Sequence, residues 1–425
     1  MRNAKTIVLA ATLLSLIFAG SALAFHGGGV AECEGCHTMH NSMDGAQVNA
    51  NPNTFLLQGT DQSSTCLICH GKAGVSSYHV LGTDGVAINP ATLPNLNTTP
   101  GGDFEWLQQT FSWTERDGVT PATEPGERHG HNVIAADKGL SADTTLTMAP
   151  GGTFDATQLT CASCHDPHGK YRLTVDGDEV TSGVQTIASG STGTPATATG
   201  AVGVYRILGG DGYAPVSYDA VPFTAAAPVA VSPSTYNRSE TLTAQTRVAY
   251  GEGMSEWCAN CHADLLVGIG NTKHPTGAAT QLGTFAANYN AYVKTGDMSN
   301  VDETKGYDSL VPFEEGTSDR AALKLNAQIN NSKMQGATAT SNVSCLSCHR
   351  SHASGWKSMA RWQNDLEFIT SNGAYMASDN ANATGKGYYH QGRTNAVYEK
   401  AMNGRVATDF ATYQRSLCNK CHAKD

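Results

Sequence analysis

Twelve cysteines fall without remainder into six frames of one form, Cys-x-x-Cys-His, and no other feature constrains this chain as strongly. The frames are Cys33-Glu-Gly-Cys36-His37, Cys66-Leu-Ile-Cys69-His70, Cys161-Ala-Ser-Cys164-His165, Cys258-Ala-Asn-Cys261-His262, Cys345-Leu-Ser-Cys348-His349 and Cys418-Asn-Lys-Cys421-His422. Paired cysteines alone would equally suit a zinc half-site or a disulfide. Neither of those requires a histidine directly after the second cysteine, whereas the attachment motif of c-type haem does. Two intervening residues let both sulfurs reach the porphyrin vinyl groups from one helical turn, and the next residue then lies under the iron. Six covalently attached c-type haems are expected, with His37, His70, His165, His262, His349 and His422 as proximal ligands.

The chain has 15 histidines, so nine remain: His26, His40, His79, His129, His131, His168, His274, His352 and His390. They are numerous enough to close six irons as bis-histidine haems, which have lower potentials than histidine–methionine haems. Three of them recur three residues after a proximal histidine, as His40, His168 and His352. At that spacing the second ring cannot swing to the opposite face of its own porphyrin, so it reaches a neighbouring iron or none. His79, His131 and His274 lie in the long intervals and could each reach over to a haem elsewhere. Only one of His129 and His131 is favoured within His-Gly-His, and His26 and His390 could be plain surface residues.

The N-terminus reads as a secretory signal over residues 1–24. Arg2 and Lys5 form the basic region, Ile7 to Phe18 the apolar stretch, and Ala22-Leu-Ala24 the small-residue cleavage site. No later segment has the run of apolar residues a membrane helix needs, so an exported chain that is not an integral membrane protein is expected. A formal charge of -10 and the absence of any Lys/Arg run argue against a nucleic-acid partner.

Only 15% of residues are charged and 45 are glycine, which disfavours long salt-bridged surface helices. The expected architecture is one domain over residues 25–425, mostly irregular coil with short helices and few short strands, wrapped around a chain of haems. Helical spacing marks Leu282 to Val293 and Trp356 to Leu366, and a short helix is expected over Tyr413 to Leu417. Arg116, Arg172, Arg206, Arg238, Arg247, Arg350 and Arg415 are candidates to cover haem propionates.

Longer runs carry more than the bare motif. The segments Phe25-His-Gly-Gly-Gly-Val-Ala-Glu-Cys33-Glu-Gly-Cys36-His-Thr-Met-His40, Cys161-Ala-Ser-Cys164-His-Asp-Pro-His168-Gly-Lys-Tyr-Arg172, Gly253-Met-Ser-Glu-Trp-Cys258-Ala-Asn-Cys261-His262 and Gln414-Arg-Ser-Leu-Cys418-Asn-Lys-Cys421-His422-Ala-Lys-Asp425 resemble the hexahaem outer-surface cytochromes of metal-reducing bacteria. The resemblance implies a continuous haem stack and head-to-tail polymerisation into an extracellular filament. It also implies that His40 ligates the haem at His349 of the next subunit, and that His26, His79, His131, His168, His274 and His352 stand at matching positions. Seven such histidines for six irons leave at least one over. His129 and His390 depart from the pattern. The function implied is electron transport to metal oxides, electrodes or other outer-surface cytochromes. A monomeric periplasmic shuttle is one alternative. A multihaem reductase is the other, and it would need an iron with an open position.

Overall fold

The computed structural model describes residues 33–43, 46–50, 55–71, 79–82, 98–218, 220–233, 240–266, 274–292, 303–329, 331–381, 383 and 386–422. The signal segment, His26, Arg238 and Val293 lie outside them. Among the described residues the longest helix, Gln62–His70, has 9 residues, and the longest strands have four. Among these residues no helix is long and apolar enough to cross a membrane. Among the described residues the one sheet of more than two strands has four, in the order Glu179–Val180, Arg172–Leu173, Gly200–Gly203, Gln185–Ala188. Its first three strands pair antiparallel and its last pair is parallel.

A coil-rich chain has few ladders to satisfy its carbonyls, and buried polar groups must still be paired. Buried arginine forks do much of that work here. Arg361 donates to Leu346 O at 2.6 Å, His349 O at 3.0 Å, Ser309 O at 3.3 Å and Pro100 O at 3.4 Å. Arg350 reaches Pro100 O at 3.1 Å and forms a buried pair with Glu240 at 3.1 Å. Arg247 pairs with Glu315 at 2.6 Å and Arg405 with Asp308 at 2.8 Å. Arg247 and Arg350 are thus buried and divided between a protein carboxylate and backbone carbonyls.

Two expected helices are corrected. Between Trp356 and Leu366 there is only a single turn, Lys357–Met359, in which Ser358 and Met359 have φ of 55° and 49°. That left-handed pair breaks the helix and serves the site described below, while Trp356 and Trp362 are buried in the core. At the C-terminus the helical turn is Leu417–Lys420, later than expected. The helix expected around Leu282 is Phe285–Ala291.

Glu314 is fully buried, with Oε1 accepting from the Met254 N–H at 3.0 Å and Oε2 without a hydrogen-bond partner. Burial pushes its carboxyl up to about 8 from an ordinary 4.5, against the lowering effect of that hydrogen bond. An acid with a raised folded pKa loses stability as pH climbs from the unfolded value to the folded one. Glu314→Gln should therefore have a higher Tm than the parent at about pH 9 and a flatter profile between about pH 5 and 9. Parallel pH profiles for the two proteins would contradict this.

Candidate haem centres

Each described frame is a closed helical turn. The His37 N–H donates to Cys33 O at 2.9 Å, and the same bond recurs for His165, His262, His349 and His422 at 3.0–3.1 Å. Frame two lies wholly within Gln62–His70, whose N-cap Asp61 accepts from Ser64 N. Frames three and five are each held by a serine at their third position, Ser163 Oγ accepting from the Thr160 N–H at 2.9 Å and Ser347 Oγ from the Ser344 N–H at 3.1 Å, one half of a capping box. Both sulfurs and the imidazole thus leave one turn together, as residues three and four apart do.

Most of the proximal rings are held in the tautomer that ligation requires. Nδ1 lies 2.8 Å from a backbone carbonyl in His37 (Phe55 O), His165 (Arg206 O), His262 (Pro150 O) and His349 (Ser358 O). An Nδ1–H given to a carbonyl leaves the Nε2 lone pair for iron. His131 does the same toward Ser351 O at 2.8 Å, and His274 toward Pro275 O at 2.9 Å.

Frames one, three and five share a three-bond clamp. Beside the imidazole bond, Thr38 N, Asp166 N and Arg350 N donate to Leu56 O, Ile207 O and Met359 O. Gln58 N, Gly209 N and Arg361 N donate back to Cys36 O, Cys164 O and Cys348 O. The clamping segments hold Leu56, Arg206, Ile207, Ser358 and Met359 at positive φ, an uncommon state for such side chains. Sequence reasoning missed them because they lie 9 to 42 residues downstream of their histidines with no common motif. A second missed device had a signal: Pro-Gly-Gly occurs at 100–102 and again at 150–152. A Cβ on Gly102 would stand 1.9 Å from Ala353 O, and one on Gly152 1.8 Å from Cys261 O. Only glycine lets these strands lie against the backbone beside His352 and His262.

Two imidazoles that share an iron through Nε2, at about 2 Å each, have ring centroids about 6 Å apart. Four pairs meet that spacing: His37–His168 at 6.5 Å, His165–His352 at 6.4 Å, His131–His262 at 6.1 Å and His274–His422 at 5.8 Å. Burial, with His262 next, pushes His131 down to about 4, and burial with His165 pushes His352 down to about 3, so both rings are neutral as ligands must be. The residues fit six haems. His129 does not join the set, because its Nδ1 is 2.8 Å from Trp106 O and its Nε2 2.7 Å from Glu124. His390 accepts from Gly392 N through Nδ1, which puts its proton on Nε2. His40, His79 and His349 pair with no imidazole among the described residues.

The sulfurs report the spatial order of the frames. Cys36 neighbours Cys69, Cys66 meets Cys161, Cys164 neighbours Cys261, Cys258 meets Cys345, and Cys348 neighbours Cys418 and Cys421. In the haem-bearing state these atoms are thioethers, so the contacts mark proximity alone. Frames adjacent in sequence are adjacent in space, one through six.

No family model matches the chain. It is 50% identical to the C-type cytochrome OmcS of Geobacter sulfurreducens (strain ATCC 51573 / DSM 12127 / PCA) over 444 aligned residues, which cover 100% of this chain and 99% of that protein. The chain belongs to the OmcS family of c-type cytochromes. Two solved structures from Geobacter sulfurreducens, of OmcS nanowires by cryo-EM and of the Outer Membrane Cytochrome S filament, superpose with a TM-score of 0.85 at 50% identity. Each match covers 94% of this chain and 100% of the other. The mostly coil OmcS fold and the six frames as covalent c-type haem sites are thereby established for this chain.

Proposed function

We propose that the chain is an electron carrier with no substrate of its own, exported by cleavage of residues 1–24 and assembled head to tail outside the cell. Each haem, when bound, supplies a one-electron iron couple. The chain orders the six sites in a line, fixes their imidazoles and closes their irons, so that electrons pass to metal oxides, electrodes or other outer-surface cytochromes.

One observation carries this reading: the ligands follow a two-frame rule. His168, in frame three, faces His37 of frame one, and His352, in frame five, faces His165 of frame three. His40 has the same spacing in frame one. Two frames back from there, on a six-haem repeat, is frame five of the adjoining subunit. His40 is exposed, and His349 has no ring partner in its own chain among the described residues. A contact of this kind is heterologous and generates an open polymer where its rotation does not close a ring.

The even frames follow a companion rule, taking the histidine that leads into their pair: His131 for His262 and His274 for His422. By continuation His26 serves His70 and His79 is the histidine left over. Assembled protein with every iron closed should bind no carbon monoxide when reduced. His26→Ala should bind one per chain, and His79→Ala none. Binding by the unmodified polymer would instead reveal an open iron and favour the reductase. Binding by His79→Ala alone would exchange the two roles.

A further inference from the structure

The two rules divide the chain into three dihaem units, frames one and two, three and four, five and six, with a leading histidine and a clamp in each odd frame. Two boundaries between units lie inside the chain, and they are built alike. Ser63, three residues before Cys66, accepts from the Cys161 N–H at 3.0 Å. Ser255, three residues before Cys258, accepts from the Cys345 N–H at 3.1 Å. Both serines are buried. In each case the first cysteines of the two frames meet, Cys66 with Cys161 and Cys258 with Cys345.

The chain ends hold the two halves of a third such boundary, with different chemistry. Three residues before Cys418 stands Arg415 in place of serine, and frame one reads Cys33-Glu34-Gly35 without the serine lock of frames three and five. Cys33 and Cys418 are exposed, as halves without a partner would be. Glu34 is exposed, and its carboxylate makes no ion pair among the described residues. Arg415 lies over Phe368 at 5.1 Å and pairs with Glu367. One carboxylate does not exhaust the five N–H donors of a guanidinium.

We propose that the filament joint repeats the internal unit boundary, with Arg415 of one subunit and Glu34 of the next replacing the buried serine contact by an ion pair. This deepens the head-to-tail reading and rests on it. A neutral buried hydrogen bond is insensitive to ionic strength, whereas a rim ion pair is screened over about 8 Å at physiological salt. The joints would then weaken, and the critical concentration rise, in salt that leaves every internal boundary intact.

The test uses full-length, haem-loaded protein, with the polymer sedimented at rising sodium chloride. Glu34→Arg and Arg415→Glu should each raise the critical concentration about ten-fold at low salt, and the double reversal should return it to within about three-fold of the parent. Glu367→Gln should leave it unchanged, separating the joint from the local pair. A pyridine haemochrome count of six with a low-spin spectrum for the other haems reports an intact subunit. Unchanged assembly in both reversals, or a double reversal no better than the worse single, would overturn the ion pair while the polymer itself stands. A parent chain that stays monomeric at every salt concentration would overturn both the pair and the head-to-tail reading beneath it.

Discussion

Replacing His40 by alanine should remove an iron ligand and the polymer in one step. Attachment uses only the Cys-x-x-Cys-His frames, so six covalent haems remain. The haem at His349 loses its sixth ligand, becomes five-coordinate or water-bound, and accepts carbon monoxide when reduced. Sedimentation should find the variant monomeric under conditions where the parent is polymeric, because the lost bond would be the iron ligand that crosses between subunits. If normal filaments form with every haem low-spin, His40 is not the joint. The same conclusion follows if the opened iron is one closed within the same chain.

His352→Ala should open an iron too, but with the opposite effect on assembly. Its ring faces His165 at 6.4 Å and stacks on Phe104 at 4.8 Å, so the opened iron lies at frame three, inside the chain. One carbon monoxide should bind per chain, Tm should fall through the lost packing, and conduction along the filament should drop sharply. Polymerisation should persist, since neither His40 nor His349 is touched. Monomeric His352→Ala with six intact haems would contradict the two-frame rule. The two variants share a spectroscopic defect and differ in assembly, which separates ligation inside the chain from ligation between chains.

The chemistry of the frames was legible because covalent attachment demands a fixed spacing within one turn, and fixed spacings survive in a linear sequence. The coil-rich fold followed from the shortage of charged helical faces and the abundance of glycine. Which imidazole faces which iron was not legible, because partners such as His37 and His168 are brought together by tertiary contacts that leave no periodicity. The stripe from Trp356 to Leu366 misled for a related reason. Trp356 and Trp362 do enter the core, but Ser358 and Met359 turn left-handed so that their carbonyls reach His349 and Arg350. Arg361, Arg393 and Arg405 carry no motif that marks them in the sequence, yet they are buried among loop carbonyls and carboxylates. In a chain with few ladders, arginine takes on backbone satisfaction that strands would otherwise provide.

Cryo-EM of the assembled chain tests the central claim most directly. The map should show the six frames in sequence order within a subunit and the His40 imidazole crossing the subunit boundary to the iron above His349, with His168 and His352 making the equivalent reach inside the chain. Density placing a histidine of the same subunit on the His349 haem, or a joint at which frame six of one subunit is not followed by frame one of the next, would contradict it.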